Sequence, residues 1–201
     1  FGRCNAAGMV TDDFTQGKFI IEAVLDNSGE VSDDALRNAF RRWMDYPFYP
    51  NFTGPTTRAA MQRIFNDTRP SLQGDAEAGE PKQDVVLVNN GNASATNGAA
   101  MKAWSASFLS LETPEELIAK TYEIARFTHD NVISVSGACA ISSAVNAALS
   151  DGVSLEDVIA LAIKGADQGY SHAERNGAMV MAGPSVARRI ELAAQIGRKH
   201  A

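Results

Sequence analysis

The chain has 201 residues, 45% of them hydrophobic, which is enough to bury one substantial core; a single domain over 1–201 is the expected count. A net charge of -6 argues against a nucleic-acid groove, which needs a basic face, but leaves room for an anionic ligand held by backbone N–H groups. Two cysteines, Cys4 and Cys139, cannot build a disulfide framework, so a reducing cytoplasm is the expected setting, and no apolar run approaches the ~20 residues of a membrane helix.

In chain order, an apolar helix is predicted over 14–25, ended by Asn27-Ser28-Gly29. From Val31 onward, Ala35, Leu36, Ala39, Phe40, Trp43 and Met44 recur at helical spacing and place one apolar stripe on a second helix. Ser32 is its expected N-cap, and Asp33 and Asp34 sit where the helix dipole favours acids. Pro47, Pro50 and Pro55, interleaved with Tyr46, Phe48, Tyr49 and Phe52, give an aromatic loop over 46–55. Its rings either cover the core or form a stacking surface for a base or sugar.

A short helix is predicted over 57–65, followed by a polar surface loop over 66–83. Val85-Val86-Leu87-Val88 is either a short strand or a buried extended segment. Thr113-Pro114-Glu115-Glu116 is a capping box with proline at the first helical position, and it launches a helix to about Phe127. Residues 130–149 are dense in small side chains that let helices approach closely. Ser154 is expected to cap a helix running through Ile163, and Val186, Ile190, Ala193, Ala194 and Ile196 write the last apolar stripe. That pattern continues nearly to the end and the first residue is Phe1, so a fragment or processed product is expected. The predicted fold is an all-α, orthogonal multi-helix bundle with long functional loops.

Three polar constellations interrupt this pattern. Thr11-Asp12-Asp13, delivered from Gly8-Met9-Val10, is consistent with ordinary N-capping. It is equally a set of hard oxygens suited to a divalent cation, which would offset the repulsion of adjacent carboxylates. Ser94-Ala95-Thr96-Asn97-Gly98-Ala99-Ala100-Met101-Lys102 is either a plain loop before a helix or a helix start whose open amides receive a phosphate or ribose oxygen. Lys102 there either supplies a charge or is a solvated surface lysine. His129, between Thr128 and Asp130, is a structural histidine, or it bonds a ligand or orients a base. Zinc is not expected from so scattered a set of histidines and cysteines, no nucleophile elbow is present, and Cys139 reads as core packing.

The ordered set Val-Thr-Asp-Asp (10–13), Thr-Gly-Pro-Thr-Thr-Arg (53–58), Asn-Gly-Ala-Ala-Met-Lys (97–102) and Thr-His-Asp (128–130) resembles the ADP-ribosylglycohydrolase family. That family includes the dinitrogenase reductase-activating glycohydrolases, and the J1 crystallins share its fold. The resemblance covers nearly the whole chain, including Arg188-Arg189-Ile190-Glu191-Leu192. It implies an all-α hydrolase that uses a two-Mg²⁺ centre, with Mn²⁺ as a substitute, to cleave a glycosidic bond to ribose. Position by position, it implies that Thr11, Asp12 and Asp13 are metal ligands, Asp12 and Asp13 being the catalytic carboxylates. It further implies that Ser94, Ala95, Thr96, Asn97, Gly98, Ala99 and Met101 hold the ribose-phosphate portion of ADP-ribose, with His129 near the substrate.

The implied partner is a small ADP-ribosyl or ribosyl compound, or an ADP-ribosylated protein; no nucleic acid and no membrane is expected. A cation in such a site can orient ribose hydroxyls, activate water and stabilise charge as an oxocarbenium-like centre forms. The family pattern also has an early Gly-Asp and glutamate, which are absent from the residues before Thr11, and a late Asp-x-Asp-Thr. The acids after Asp130, namely Asp151, Glu156, Asp157, Asp167, Glu174 and Glu191, are not so spaced, so about half a metal centre is written here. Lys102 stands where many members carry arginine. A non-catalytic ADP-ribose-binding relative and a nucleoside hydrolase on the same scaffold are the competing expectations.

Overall fold

The computed structural model describes residues 10–47, 49, 53–66, 94–109 and 111–200. Among these residues every regular element is helical, apart from an isolated parallel bridge between Asn131 and Met179. The all-α expectation holds.

Helix α1, Asp12–Asp26, carries Asp12 and Asp13 in its first turn and buries Ile20, Ala23 and Val24. It ends where Ser28 (φ 58°) and Gly29 (φ 86°) turn left-handed, the conformation that closes helices. Helix α2, Asp33–Met44, starts at Ser32, whose Oγ accepts from the Ala35 N–H at 3.1 Å. All six residues of its predicted stripe are buried. Helix α3, Pro55–Phe65, begins two residues earlier than predicted, because the fixed φ of Pro55 suits the first helical position.

The segment expected to open a helix makes one α-turn, α4 (Ala100–Ala103), and tightens into a 3₁₀ stretch, Trp104–Phe108. Helix α5, Pro114–Arg126, has the predicted capping box, with Thr113 and Glu116 bonding each other's backbone N–H groups. Helix α6, Val132–Ala148, is capped by Asn131. Ser154 caps α7 through a reciprocal pair with Asp157, but the helix runs to Arg175, well past the predicted stop at Ile163. The last helix is α8, Val186–His200.

Glycine explains that overrun. A Cβ on Gly169 would lie 2.5 Å from Cys139 Cβ and 2.7 Å from its Sγ, and one on Gly165 would collide with Ser143. Both glycines let α7 lie against α6, the most extensive helix contact among the described residues, and that packing outweighs their low helix propensity.

Two apolar clusters fill most of the interior. One gathers α1, α2 and α3 around Ile20, Leu36, Phe40, Trp43 and Met61; the other joins α4 to α7 around Ala99, Val132, Val135, Ala138 and Cys139. Cys139 is core packing, as expected, and burial raises its thiol to about 12. In the aromatic loop, Tyr49 is buried edge-on against Trp43, with ring centroids 4.8 Å apart, and so covers the core. Phe48, Phe52, Val85–Val88 and the polar stretch over 67–83 lie outside the described residues. Among the described residues no helix is long and apolar enough to cross a membrane.

Candidate functional site

A cavity of about 250 Å³ opens where three chain segments meet. Asp12 enters it from the start of α1, Gly54 to Thr57 from the start of α3, and Thr96, Asn97, Gly98 and Met101 from the turn before and into α4.

The first turn of α1 is fixed by contacts outside its own helix. Thr11 occupies the N-cap position in extended conformation, yet its hydroxyl makes no capping bond and donates instead to Asp13 Oδ2 at 2.7 Å. Trp104 donates its indole N–H to the Asp13 carbonyl at 3.2 Å and stacks on Phe14 at 5.6 Å. Gly17 makes room for that indole, since a Cβ there would meet its six-membered ring. This pinning leaves the Asp12 carboxyl at the cavity wall. Burial, and then the charge of Asp13, raise its pKa to about 6.

The facing turn is held by hydrogen bonds from Thr96 N–H to Ser94 O and from Met101 N–H to Asn97 O. Gly98 is required here: a Cβ would lie 2.7 Å from His129 Cε1, 2.9 Å from its Nε2 and 3.3 Å from Thr57 Oγ1. His129 is wholly buried behind this turn, with Nε2 2.8 Å from Thr96 Oγ1 and Nδ1 2.8 Å from Thr128 Oγ1. Burial, then the nearby charges of Lys102 and Arg63, lower its pKa to about 3, so the imidazole is neutral at ordinary pH. Asp130 does not orient it; its carboxylate accepts from the Tyr122 hydroxyl at 3.5 Å.

Lys102 is not a solvated surface lysine. It is fully buried, donating to Gly98 O at 2.7 Å and to Thr128 Oγ1 at 2.8 Å, with its Nζ 6.0 Å from the Phe40 ring centre. Burial lowers its pKa to about 7.

Of the residues singled out in the sequence, Asp12, Thr96, Asn97, Gly98 and Met101 share the cavity, and His129 supports it from behind. Thr11 and Asp13 flank Asp12 in the chain but do not line the cavity, and Asp13 is exposed. Ser94 is half-buried, its carbonyl accepting from Asn131 Nδ2 at 3.4 Å; Ala95 is exposed, and Ala99 is part of the core. Sequence reasoning gave no role to Thr56 and Thr57, whose backbone N–H groups belong to the unsatisfied first turn of α3. The signal was the Thr-Gly-Pro-Thr-Thr-Arg motif itself.

Thr11, Asp12 and Asp13 could hold a hard cation from one side. Mg²⁺ commonly uses one or two carboxylates and keeps several waters, and it would relieve the burial and like-charge repulsion that Asp12 experiences. One turn further along the same face, Gln16 is 1% exposed and, among the described residues, neither carboxamide atom has a partner. Among the described residues no three acidic, histidine or cysteine side chains gather as a metal cluster.

Fold and site together define an all-helical protein with an oxygen-rich cleft between helix starts. The sequence profile of the ADP-ribosylglycohydrolase family matches residues 1–200, and the chain belongs to that family. No curated protein and no solved structure matches it.

Proposed function

We propose that this glycohydrolase is Mg²⁺-dependent and cleaves an N- or O-glycosidic bond to ribose in an ADP-ribosyl or related ribosyl compound, free or attached to a protein. The observation that carries the reading is the convergence of Asp12, the α3 start and the Thr96–Gly98 turn on one cavity. The first-turn N–H groups of α3 suit phosphate or hydroxyl oxygens, and Thr96 and Asn97 add side-chain hydrogen bonds. Asp12 stands opposite them, where its carboxylate can orient a water or a ribose hydroxyl. Thr11, Asp12 and Asp13 would hold Mg²⁺, which when bound would orient ribose hydroxyls and activate water.

The test is release of ribose or ADP-ribose from a panel of ADP-ribosyl and ribosyl compounds, with and without Mg²⁺. Mg²⁺-stimulated release that is lost in Asp12→Asn supports the proposal; no such release from any compound overturns it. Inosine in the panel separates a nucleoside hydrolase from an ADP-ribosyl enzyme. The absence of a three-ligand metal cluster among the described residues favours one other reading, a non-catalytic ADP-ribose binder. Tight ADP-ribose binding without turnover would decide for it.

A further inference from the structure

With Lys102 charged, the hydrogen bonds behind the cavity have only one consistent direction. The Lys102 ammonium has hydrogens to give and no lone pair, and its two oxygen partners are Gly98 O at 2.7 Å and Thr128 Oγ1 at 2.8 Å. A carbonyl can only accept, and the amine donates to both. Thr128 Oγ1 therefore accepts from Lys102 and has one hydrogen left to give. Thr128 is wholly buried, and the remaining partner recorded for its hydroxyl is His129 Nδ1 at 2.8 Å. Any other assignment leaves a buried hydroxyl hydrogen without an acceptor, which native structures avoid.

Nδ1 then carries a lone pair. The ring is neutral, so its hydrogen is on Nε2, and Nε2 donates to Thr96 Oγ1 at 2.8 Å. Thr96 is exposed at the cavity wall, and its own hydrogen is free to point inward.

We propose that Lys102, as an ammonium, and Thr128 are positioning residues that lock His129 as the Nε2–H tautomer, so that Thr96 presents a hydrogen-bond donor to an acceptor oxygen of the ligand. The oxygen is a phosphate oxygen or a ribosyl oxygen. The tautomer follows from the geometry with a charged Lys102 and a neutral ring; the ligand part rests on the ribosyl reading given above. The arrangement discriminates by polarity. A ligand offering a donor at this point meets another donor, whereas an oxygen acceptor is matched without reorganisation.

The experiment joins nitrogen-15 NMR of the imidazole side chains with calorimetric ADP-ribose binding, His172 and His200 being assigned by substitution. The native protein at pH 5, where Lys102 is charged and the ring neutral, should show His129 protonated at Nε2 and unprotonated at Nδ1; a ring protonated at Nδ1, or at both nitrogens, overturns the proposal. Thr128→Val should mix the tautomers and weaken ADP-ribose binding about tenfold, the effect of one lost hydrogen bond, and Thr128→Ser should restore both. An unchanged tautomer in Thr128→Val overturns the relay.

Thr96→Val separates the ligand oxygens. Loss with ADP-ribose alone marks a phosphate oxygen, and equal loss with inosine marks a ribosyl oxygen. No loss with either overturns the ligand part. If the native protein shows the Nε2–H tautomer but binds neither compound, the ribosyl reading falls and the relay stands. If it binds but shows the opposite tautomer, the relay falls and the ribosyl reading stands.

Discussion

Lys102→Met removes a fully buried amine that is bonded to a carbonyl and a hydroxyl rather than to a carboxylate. Burial lowers its pKa from the ordinary 10.5 to about 7. Between those values the unfolded chain holds a proton that the folded chain has released, so stability rises with pH, by about 1.4 kcal/mol per pH unit at most. The stability that a neutral amine preserves is complete above 10.5 and is lost as pH falls through 7. Below that, the folded state carries a penalty of up to about 5 kcal/mol.

Methionine abolishes the penalty but leaves the Gly98 carbonyl without its donor and deprives Thr128 of another. Two hydrogen bonds to an ammonium are together worth roughly 3–6 kcal/mol, so the variant should be within about 2 kcal/mol of the native protein at pH 6. By pH 9 the native protein should have gained about 2 kcal/mol that the variant does not. Cys139, with its thiol raised to about 12, pulls the other way above pH 9, but it does so in both proteins and cancels in the comparison. Urea denaturation followed by circular dichroism at pH 6, 7, 8 and 9 makes the measurement. Parallel stability curves for the two proteins would refute the reasoning.

Three further outcomes are expected. Gly98→Ala drives a methyl into the His129 ring, 2.7 Å from Cε1, so it should cost about 1–3 kcal/mol in thermal unfolding and weaken ADP-ribose binding; a neutral effect on both would show that the ring yields freely. Asp12, raised to about 6, contributes stability that is present below 3.8 and lost as pH rises through 6, whereas Mg²⁺ requires the carboxylate. Calorimetric Mg²⁺ binding should therefore strengthen from pH 5 to 7 and vanish in Asp12→Asn, and pH-independent binding would place the ion elsewhere. Gly169→Ala should lower the urea midpoint by the equivalent of about 1–3 kcal/mol, because the added methyl meets Cys139 Cβ at 2.5 Å; an unchanged midpoint would mean that α6 and α7 can separate without loss.

Helix starts were legible because caps are local chemistry. Ser32, Thr113 and Ser154 each bond a backbone N–H within three residues, and each was found where the pattern put it. Helix ends were less legible, because they depend on what packs against the helix. The helix capped by Ser154 was expected to run through Ile163, but the contact with α6 carried α7 on to Arg175. The candidate site divides in the same way. Asp12 and the 94–101 turn could be singled out as turns of unusual chemistry, but their meeting in one cavity with Thr56 and Thr57 is a tertiary fact. The burial of Lys102 was not legible at all, since its partner Thr128 lies 26 residues further along the chain.

Glycine shows why local reading fails at this site. Gly29 is in the left-handed region at φ 86° and ends a helix, the use that a sequence pattern anticipates. Gly98 has no such φ; its missing side chain is the space that the His129 ring occupies. A turn signal and a packing requirement look identical as a single letter. Only the second ties the cavity wall to the buried Lys102–Thr128–His129 chain behind it. Any substitution at 98 therefore acts on the imidazole before it acts on the turn, and the two effects separate experimentally. A loss caused by the turn would leave the His129 tautomer unchanged, whereas a loss caused by the ring would change it.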